Sequence, residues 1–443
     1  MPKAAAKSKK SLPAHKAASA PATKTLRVPI TNVFDGNDYS AQILIGSQSV
    51  AANVILDTGS STLAVTPSVY NAVNDTDKQA TALAQFVTYG TGAWIGPVVN
   101  TSLVIGDPSS ASVTLHDAPL AITVAQAKDN FTGVDGILGL AYLSLNNAYD
   151  LTSYLEEKKI NPPVTFPWPF STASFAASQK QFAEIVKAPG ITQPNIDPYF
   201  IELESQGLTA DKFAFYTLRS WVRKASNNNS AIAADPWNNG FFILGGGEEQ
   251  TDLYTGDFLN VDVVDDVYYN TNLISVQVAG TPAVKAKPLQ PQYKGAGSNC
   301  IVDTGTNPLV LSNDVYKAVM KGLEKVNSKF ASLIQQADQS SISSSLIDLA
   351  EWPAISFTLT GDSGSGTAGP PATLTCTPQT YWQQDFPSPG QSVFQIFPAG
   401  SSNPVNQTIL GLPLMNNYYT VFDRSLGKGN GIIRFAPIKL PSA

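Results

Sequence analysis

Along most of the chain apolar and polar residues alternate in short runs, the two-residue period of half-buried β-strands, and Gly, Pro, Asn or Asp closes each run. Thr25–Ile30 and Tyr39–Gly46 read this way, and a third run, Val54-Ile55-Leu56, ends at Asp57-Thr58-Gly59. Phe86–Gly92 has the composition of a hairpin tip, with two glycines around a Thr after an aromatic. Gly133–Tyr142 is an apolar run interrupted by glycines, and further strands are predicted at Phe213–Leu218, Phe241–Gly247 and Trp352–Leu359. Gly361–Pro371 reads as an exposed turn.

The β rhythm breaks between residues 143 and 200. Helical spacing is predicted over Asp150–Lys159 and Phe175–Val186, separated by a stretch in which Pro162, Pro163, Pro167 and Pro169 surround Phe166, Trp168 and Phe170. This is expected to be an insertion on a β scaffold, its aromatics packed onto the lobe. A further helix, capped at Ser312, carries Val315, Val319 and Leu323 at four-residue spacing.

The pattern repeats. Cys300-Ile301-Val302-Asp303-Thr304-Gly305-Thr306 echoes the strand that ends at Asp57, and Ile409-Leu410-Gly411-Leu412 echoes Ile137-Leu138-Gly139-Leu140. Each half thus holds an Asp-Thr-Gly loop and, well downstream, an apolar strand closing on Gly. A divergent duplication of this size predicts two similar β lobes related by a pseudo-twofold axis.

Composition agrees with an all-β protein. Of 443 residues 43% are hydrophobic and only 14% charged, with 32 Gly and 31 Pro to serve many turns. A net charge of -6 lacks the basic footprint of a nucleic-acid binder, and no apolar run is long enough to span a membrane. The exception is residues 1–24, where Lys3, Lys7, Lys9, Lys10 and Lys16 stand among Ala, Ser and Pro. Without an apolar centre this segment is not a secretory signal, and it is expected to be a disordered extension or a short pro-segment. Residues 25–250 and 251–443 are then the two lobes.

Two histidines, His15 and His116, and two cysteines, Cys300 and Cys376, leave little room for a Ser-His-Asp triad, a metal centre or a disulfide framework. One Cys300–Cys376 bridge stays open. No metal or cofactor is expected, so proton transfers fall to carboxylates. If the two Asp-Thr-Gly loops meet, Asp57 and Asp303 cannot both ionise easily and will share a proton. One is then acid and the other base, able to activate a water against a peptide carbonyl, with greatest activity in acid.

Together, Asp57-Thr58-Gly59-Ser60-Ser61, Tyr89-Gly90-Thr91-Gly92, Asp135–Tyr142, Asp303-Thr304-Gly305-Thr306 and Tyr418–Asp423 resemble the pepsin-like aspartic endopeptidases, in that family's order. The resemblance implies the bilobal acid-protease fold and an extended polypeptide substrate cleaved next to bulky apolar residues, on a monomer. It implies Asp57 and Asp303 as the catalytic pair, Thr58 and Thr304 as cross-braces, and Ser60 and Thr306 as partners of the outer carboxylate oxygens. Gly59 and Gly305 would bind substrate backbone, Tyr89, Gly90 and Thr91 would belong to a closing flap, and Val134 and Ile137 would line a side-chain pocket.

The chain also departs from the family. Ala64 stands where the family has the Trp that hydrogen-bonds the flap Tyr, which puts flap positioning in question; Asn307 and Pro308 replace a Ser and a larger apolar residue. Few cysteines and no signal peptide resemble the bacterial homologues that work inside cells and favour a cytoplasmic place, whereas five sequons, at Asn74, Asn100, Asn130, Asn228 and Asn406, point to secretion. The alternative function is a pepsin-like binding protein without catalysis, against which both Asp-Thr-Gly loops are intact. Phosphoryl transfer through an Asp-Lys-Thr-Gly-Thr aspartate fails because no Lys follows Asp303.

Overall fold

A computed structural model describes residues 24–32, 39–90, 92–127, 131, 133–218, 236–364, 367–400, 403, 405–427 and 429–440. Residues 1–23 of the basic extension, Thr91, and the sequons at Asn130 and Asn228 lie outside them. The fold is all-β and bilobal, with a few short helices.

The two halves of the chain are joined by one antiparallel sheet. Its strands run in the order Leu26–Thr31, Asn239–Leu244, Lys212–Tyr216, Tyr418–Asp423, Ile432–Pro437 and Leu259–Asp262. The seam is the pairing of Lys212–Tyr216 with Tyr418–Asp423, in which Phe213 lies opposite Phe422 and Tyr216 opposite Tyr419. Phe213 and Phe422 stack at 5.0 Å, and Tyr269 meets Phe422 edge-on at 4.6 Å. Each such ring, fully buried, adds about 1.5–3 kcal/mol by transfer from water, so the seam is held mainly by aromatic burial. At its edge Lys212 pairs with Glu248 and Asp423, and Arg434 with Glu248.

On either side of the seam the same small arrangement occurs twice. Val50–Asp57 lies parallel to Gly136–Gly139, with Asp57 opposite Gly139, and Leu63–Val65 pairs antiparallel with the same Gly136–Gly139 strand. In the second half Cys300–Val302 lies parallel to Thr408–Leu410, and Leu309–Leu311 meets Thr408–Leu410 antiparallel. Alternation explains the fit: Ala52, Val54 and Leu56 are buried on one face of their strand.

The 143–200 stretch contains helices Thr152–Glu157, Phe175–Ile185 and Tyr199–Ser205. It packs on the hairpin of Gln79–Thr88 and Ala93–Asp107, burying Leu151, Leu155, Phe182 and Ile185 with Ala84 and Ile95.

Some local expectations change. The exposed turn at Gly361–Pro371 is shorter than composition suggests, because strands Ile355–Asp362 and Ala368–Cys376 run into it with Gly361 opposite Gly369. Pro370 and Pro371 fit there because the register shifts between Leu359/Ala372 and Gly361/Gly369, leaving both prolines in the irregularity, where a missing N–H breaks no ladder bond. Helix Asn313–Val326 starts after Ser312, but the Ser312 side chain makes no capping bond; the Asn313 N–H donates instead to Asn406 Oδ1 at 2.8 Å. Helix Lys329–Gln339 was not singled out from the sequence, although Phe330, Leu333, Ile334 and Ala337 stand at helical spacing and face the core.

Cys300 and Cys376 are free and buried. Burial pushes the Cys376 thiol up to about 12 and raises that of Cys300 as well. No helix among the described residues is long and apolar enough to cross a membrane.

Candidate active site

Both Asp-Thr-Gly loops arrive at the same point between the halves. The loops are locked reciprocally: Thr58 N–H donates to Thr304 Oγ1 and Thr304 N–H to Thr58 Oγ1, each at 2.9 Å. Each hydroxyl passes its own proton inward, Thr58 Oγ1 to Val302 O at 3.1 Å and Thr304 Oγ1 to Leu56 O at 2.7 Å. All these groups are buried, so every donor needs its partner, and the four bonds fix the loops against each other.

The carboxyl groups have matching environments. Gly59 N–H donates to Asp57 Oδ1 at 2.7 Å and Ser60 Oγ to Asp57 Oδ2 at 2.5 Å. Gly305 N–H donates to Asp303 Oδ1 at 2.9 Å and Thr306 Oγ1 to Asp303 Oδ2 at 2.5 Å. The two carboxyl groups lie side by side, that of Asp303 against Gly59 and that of Asp57 against Gly305, and Asp57 and Asp303 are 6% and 7% exposed. Burial, and then the neighbouring Asp303 charge, raise the Asp57 pKa well above the usual carboxylate range, partly offset by the Ser60 hydroxyl.

Glycine is required on both loops. A Cβ at Gly59 would lie 2.6 Å from Asp303 Oδ2, and one at Gly305 would collide with Asp57 Oδ1. Any side chain there would push the carboxyl groups apart.

At the hairpin tip Tyr89 N–H donates to Gly92 O at 2.7 Å. Gly90 faces open space, and Thr91 lies outside the described residues. The Tyr89 ring packs with Val134 and Ile137 in one cluster that also holds Ala64 and Trp94. Burial raises the Tyr89 pKa, with a smaller contribution from the Asp57 charge, so it stays a neutral phenol.

Two residues not singled out from the sequence belong here. Trp94, on the strand leaving the tip, is fully buried and donates Nε1–H to Tyr89 Oη at 3.3 Å. The indole missing at Ala64 is therefore supplied from within the hairpin, and Ala64 lies in the same cluster with a side chain small enough to admit it. Tyr268 is half-buried near the pair, and its pKa is raised by burial and by the charges of Asp303 and Asp57. The sequence clue for Trp94 was its place an odd number of residues from Tyr89 across a tight tip, which the two-residue period alone does not resolve; Tyr268 gave none.

The comparisons with known proteins bear on this geometry. The sequence model of the eukaryotic aspartyl protease family matches residues 38–164 and 229–437. The chain belongs to that family. As an aspartic protease it is a hydrolase of peptide bonds. It is 25% identical to cathepsin E of Aquarana catesbeiana over 435 residues, covering 94% of this chain and 83% of that protein. It is 26% identical to pepsin A of Sus scrofa over 423 residues, covering 93% and 83%. Beta-secretase of Strongylocentrotus purpuratus is 23% identical over 426 residues, covering 92% of the protease and 68% of that relative.

Proposed function

We propose that Asp57 and Asp303 are the catalytic pair of an acid-active endopeptidase. The observation that carries the reading is that two equivalent loops, interlocked through Thr58 and Thr304, set two buried carboxyl groups beside each other, each held by a glycine N–H and a hydroxyl. In this reading residues 25–250 form the lobe with Asp57 and the flap, residues 251–443 the lobe with Asp303, and residues 1–24 a basic extension.

The pair holds one proton in acid. The ionised carboxylate takes a proton from a water as its oxygen attacks the peptide carbonyl carbon, while the protonated carboxyl gives its proton to the carbonyl oxygen. Collapse of the resulting diol breaks the C–N bond, and the nitrogen leaves with a proton from the pair. Neutralising the developing oxyanion by proton transfer removes the need for a covalent intermediate. Above the upper apparent pKa of the pair both groups ionise, the donor is lost and activity falls.

Thr58 and Thr304 hold the loops, and Ser60 and Thr306 hold the outer oxygens in plane. Tyr89, Gly90 and Thr91 form the flap over an extended substrate, whose backbone passes Gly59 and Gly305. Val134 and Ile137 receive a bulky apolar side chain next to the scissile bond.

The test is cleavage of an unfolded protein across a pH series, with and without a statine-type peptide inhibitor. Wild type should cleave best in acid and be blocked by the inhibitor. Asp57→Asn and Asp303→Asn should each lower turnover by roughly a thousand-fold or more with unchanged circular dichroism. Near-normal turnover in either variant, or inhibitor-insensitive cleavage at alkaline pH, would overturn the assignment.

A further inference from the structure

The flap hairpin has two faces, and the insertion holds the outer one. Period-two alternation sends Leu83, Val87 and Trp94 inward to the cluster around Tyr89, and Ala82, Ala84, Phe86 and Ile95 outward. The outward residues pack against Phe182, which is 2% exposed. Its ring meets Phe86 edge-on at 6.4 Å and Tyr149 at 5.4 Å, and it stacks on Trp168 at 6.4 Å.

The backbone contacts fall at one place. The cross-strand register of the hairpin jumps from Ala80–Val99 to Ala84–Pro97, so Thr81, Ala82 and Leu83 bulge opposite Val98 alone. Such a bulge frees backbone groups and is where a hairpin would hinge. Here the insertion takes those groups. Thr165 N–H donates to Thr81 O at 2.8 Å, Thr165 Oγ1 to Leu83 O at 2.6 Å, and Leu151 N–H to Ala82 O at 3.0 Å. Tyr149 and Asp150 then pair with Ala84 and Leu83 as a short added strand. Nearer the tip, Gln85 Nε2 donates to Asn146 Oδ1 at 2.9 Å.

We infer that the 143–200 insertion is a strap that holds the flap down over the cleft, with Thr165 and Phe182 as positioning residues for substrate binding. This rests on the reading above that Tyr89 closes over a peptide held at Asp57 and Asp303. A flap already ordered by the strap loses less conformational entropy when substrate binds. Loosening it should therefore weaken binding and leave the chemical step alone, since neither residue reaches the carboxyl pair.

The experiment uses the full chain with Phe182→Ala, Phe182→Leu and Thr165→Val, the last keeping volume but removing the bond to Leu83 O. KM and kcat are measured on a peptide substrate, and hydrogen exchange is followed by mass spectrometry over the flap and over Cys300–Leu311. Phe182→Ala and Thr165→Val should raise KM about five- to ten-fold with kcat within about two-fold, and Phe182→Leu should fall between them and wild type. Flap amides should exchange roughly ten-fold faster, with Cys300–Leu311 unchanged.

Unchanged KM and unchanged flap exchange would overturn the strap. So would a fall in kcat at constant KM, or faster exchange in both segments alike, which marks a general loss of stability. If Phe182→Ala does not fold, Thr165→Val and Phe182→Leu decide by the same criteria. A wild type that cleaves nothing would end the catalytic reading, and the exchange arm would still decide the strap.

Discussion

Trp94 donates its indole N–H to the Tyr89 hydroxyl at 3.3 Å, and both rings share a cluster with Ala64, Val134 and Ile137. The position of the indole is thus traded within one cluster: a small residue at 64 admits a large one at 94. Trp94→Phe keeps most of the packing and removes the donor. We expect KM to rise roughly three- to ten-fold with a smaller change in kcat, read by steady-state kinetics. Ala64→Trp alone should overpack the cluster and cost about 1–3 kcal/mol in chemical denaturation. Combining it with Trp94→Leu should recover much of that loss, a non-additivity that a double-mutant cycle measures directly.

The raised Asp57 pKa carries a stability cost of definite sign. A carboxyl that holds its proton more tightly when folded contributes stability that is complete below the unfolded pKa of about 3.9 and is lost as pH rises through the folded value. Asp57→Asn cannot ionise, so it should melt higher than wild type at neutral pH, by a few degrees or about 1 kcal/mol. The gap should close below about pH 4. Thermal melts of both proteins across pH provide the check, and a variant less stable at neutral pH would contradict the assigned sign.

Asp75 behaves in the opposite sense. It is buried and accepts hydrogen bonds from Thr101 Oγ1 and Tyr70 Oη, each at 2.5 Å, and from the N–H groups of Ser47 and Asp77 at 2.9 and 3.0 Å. Burial alone would raise its pKa, but these donors outweigh it and hold the carboxyl well below the usual range. Its contribution is full above the unfolded value of about 3.9 and declines progressively as pH falls from there through the depressed folded value, so part of it persists into acid. Asp75→Asn turns an acceptor-only group partly into a donor facing donors. It should cost about 2–3 kcal/mol above pH 5, with the difference from wild type narrowing below about pH 4, as read from urea unfolding curves.

Much of the architecture was legible because it is local. An apolar run with period two must bury one face, and Val54–Asp57 and Cys300–Val302 are such strands wherever they sit. The helices at 152–157, 175–185 and 313–326 were likewise marked by their own spacing. Boundaries were less legible: at Gly361–Pro371 composition argued for a turn, yet pairing with Ile355–Asp362 draws Pro370 and Pro371 into a strand, at a shift in its register. Ser312 had the right residue type for a cap, but Asn406, distant in sequence, satisfies the helix instead.

The sequence by itself determined that two acidic loops exist, that each ends a buried strand, and that glycine follows each aspartate. Only the tertiary structure decided that Thr58 and Thr304 interlock, that Trp94 takes the place Ala64 leaves empty, and that Leu151 and Thr165 hydrogen-bond the Gln79–Thr88 strand at its bulge. The division has a physical reason. Strand and turn preferences are set by neighbours along the chain, whereas the contacts of Thr58 with Thr304 span 246 residues and form only once the seam sheet has closed.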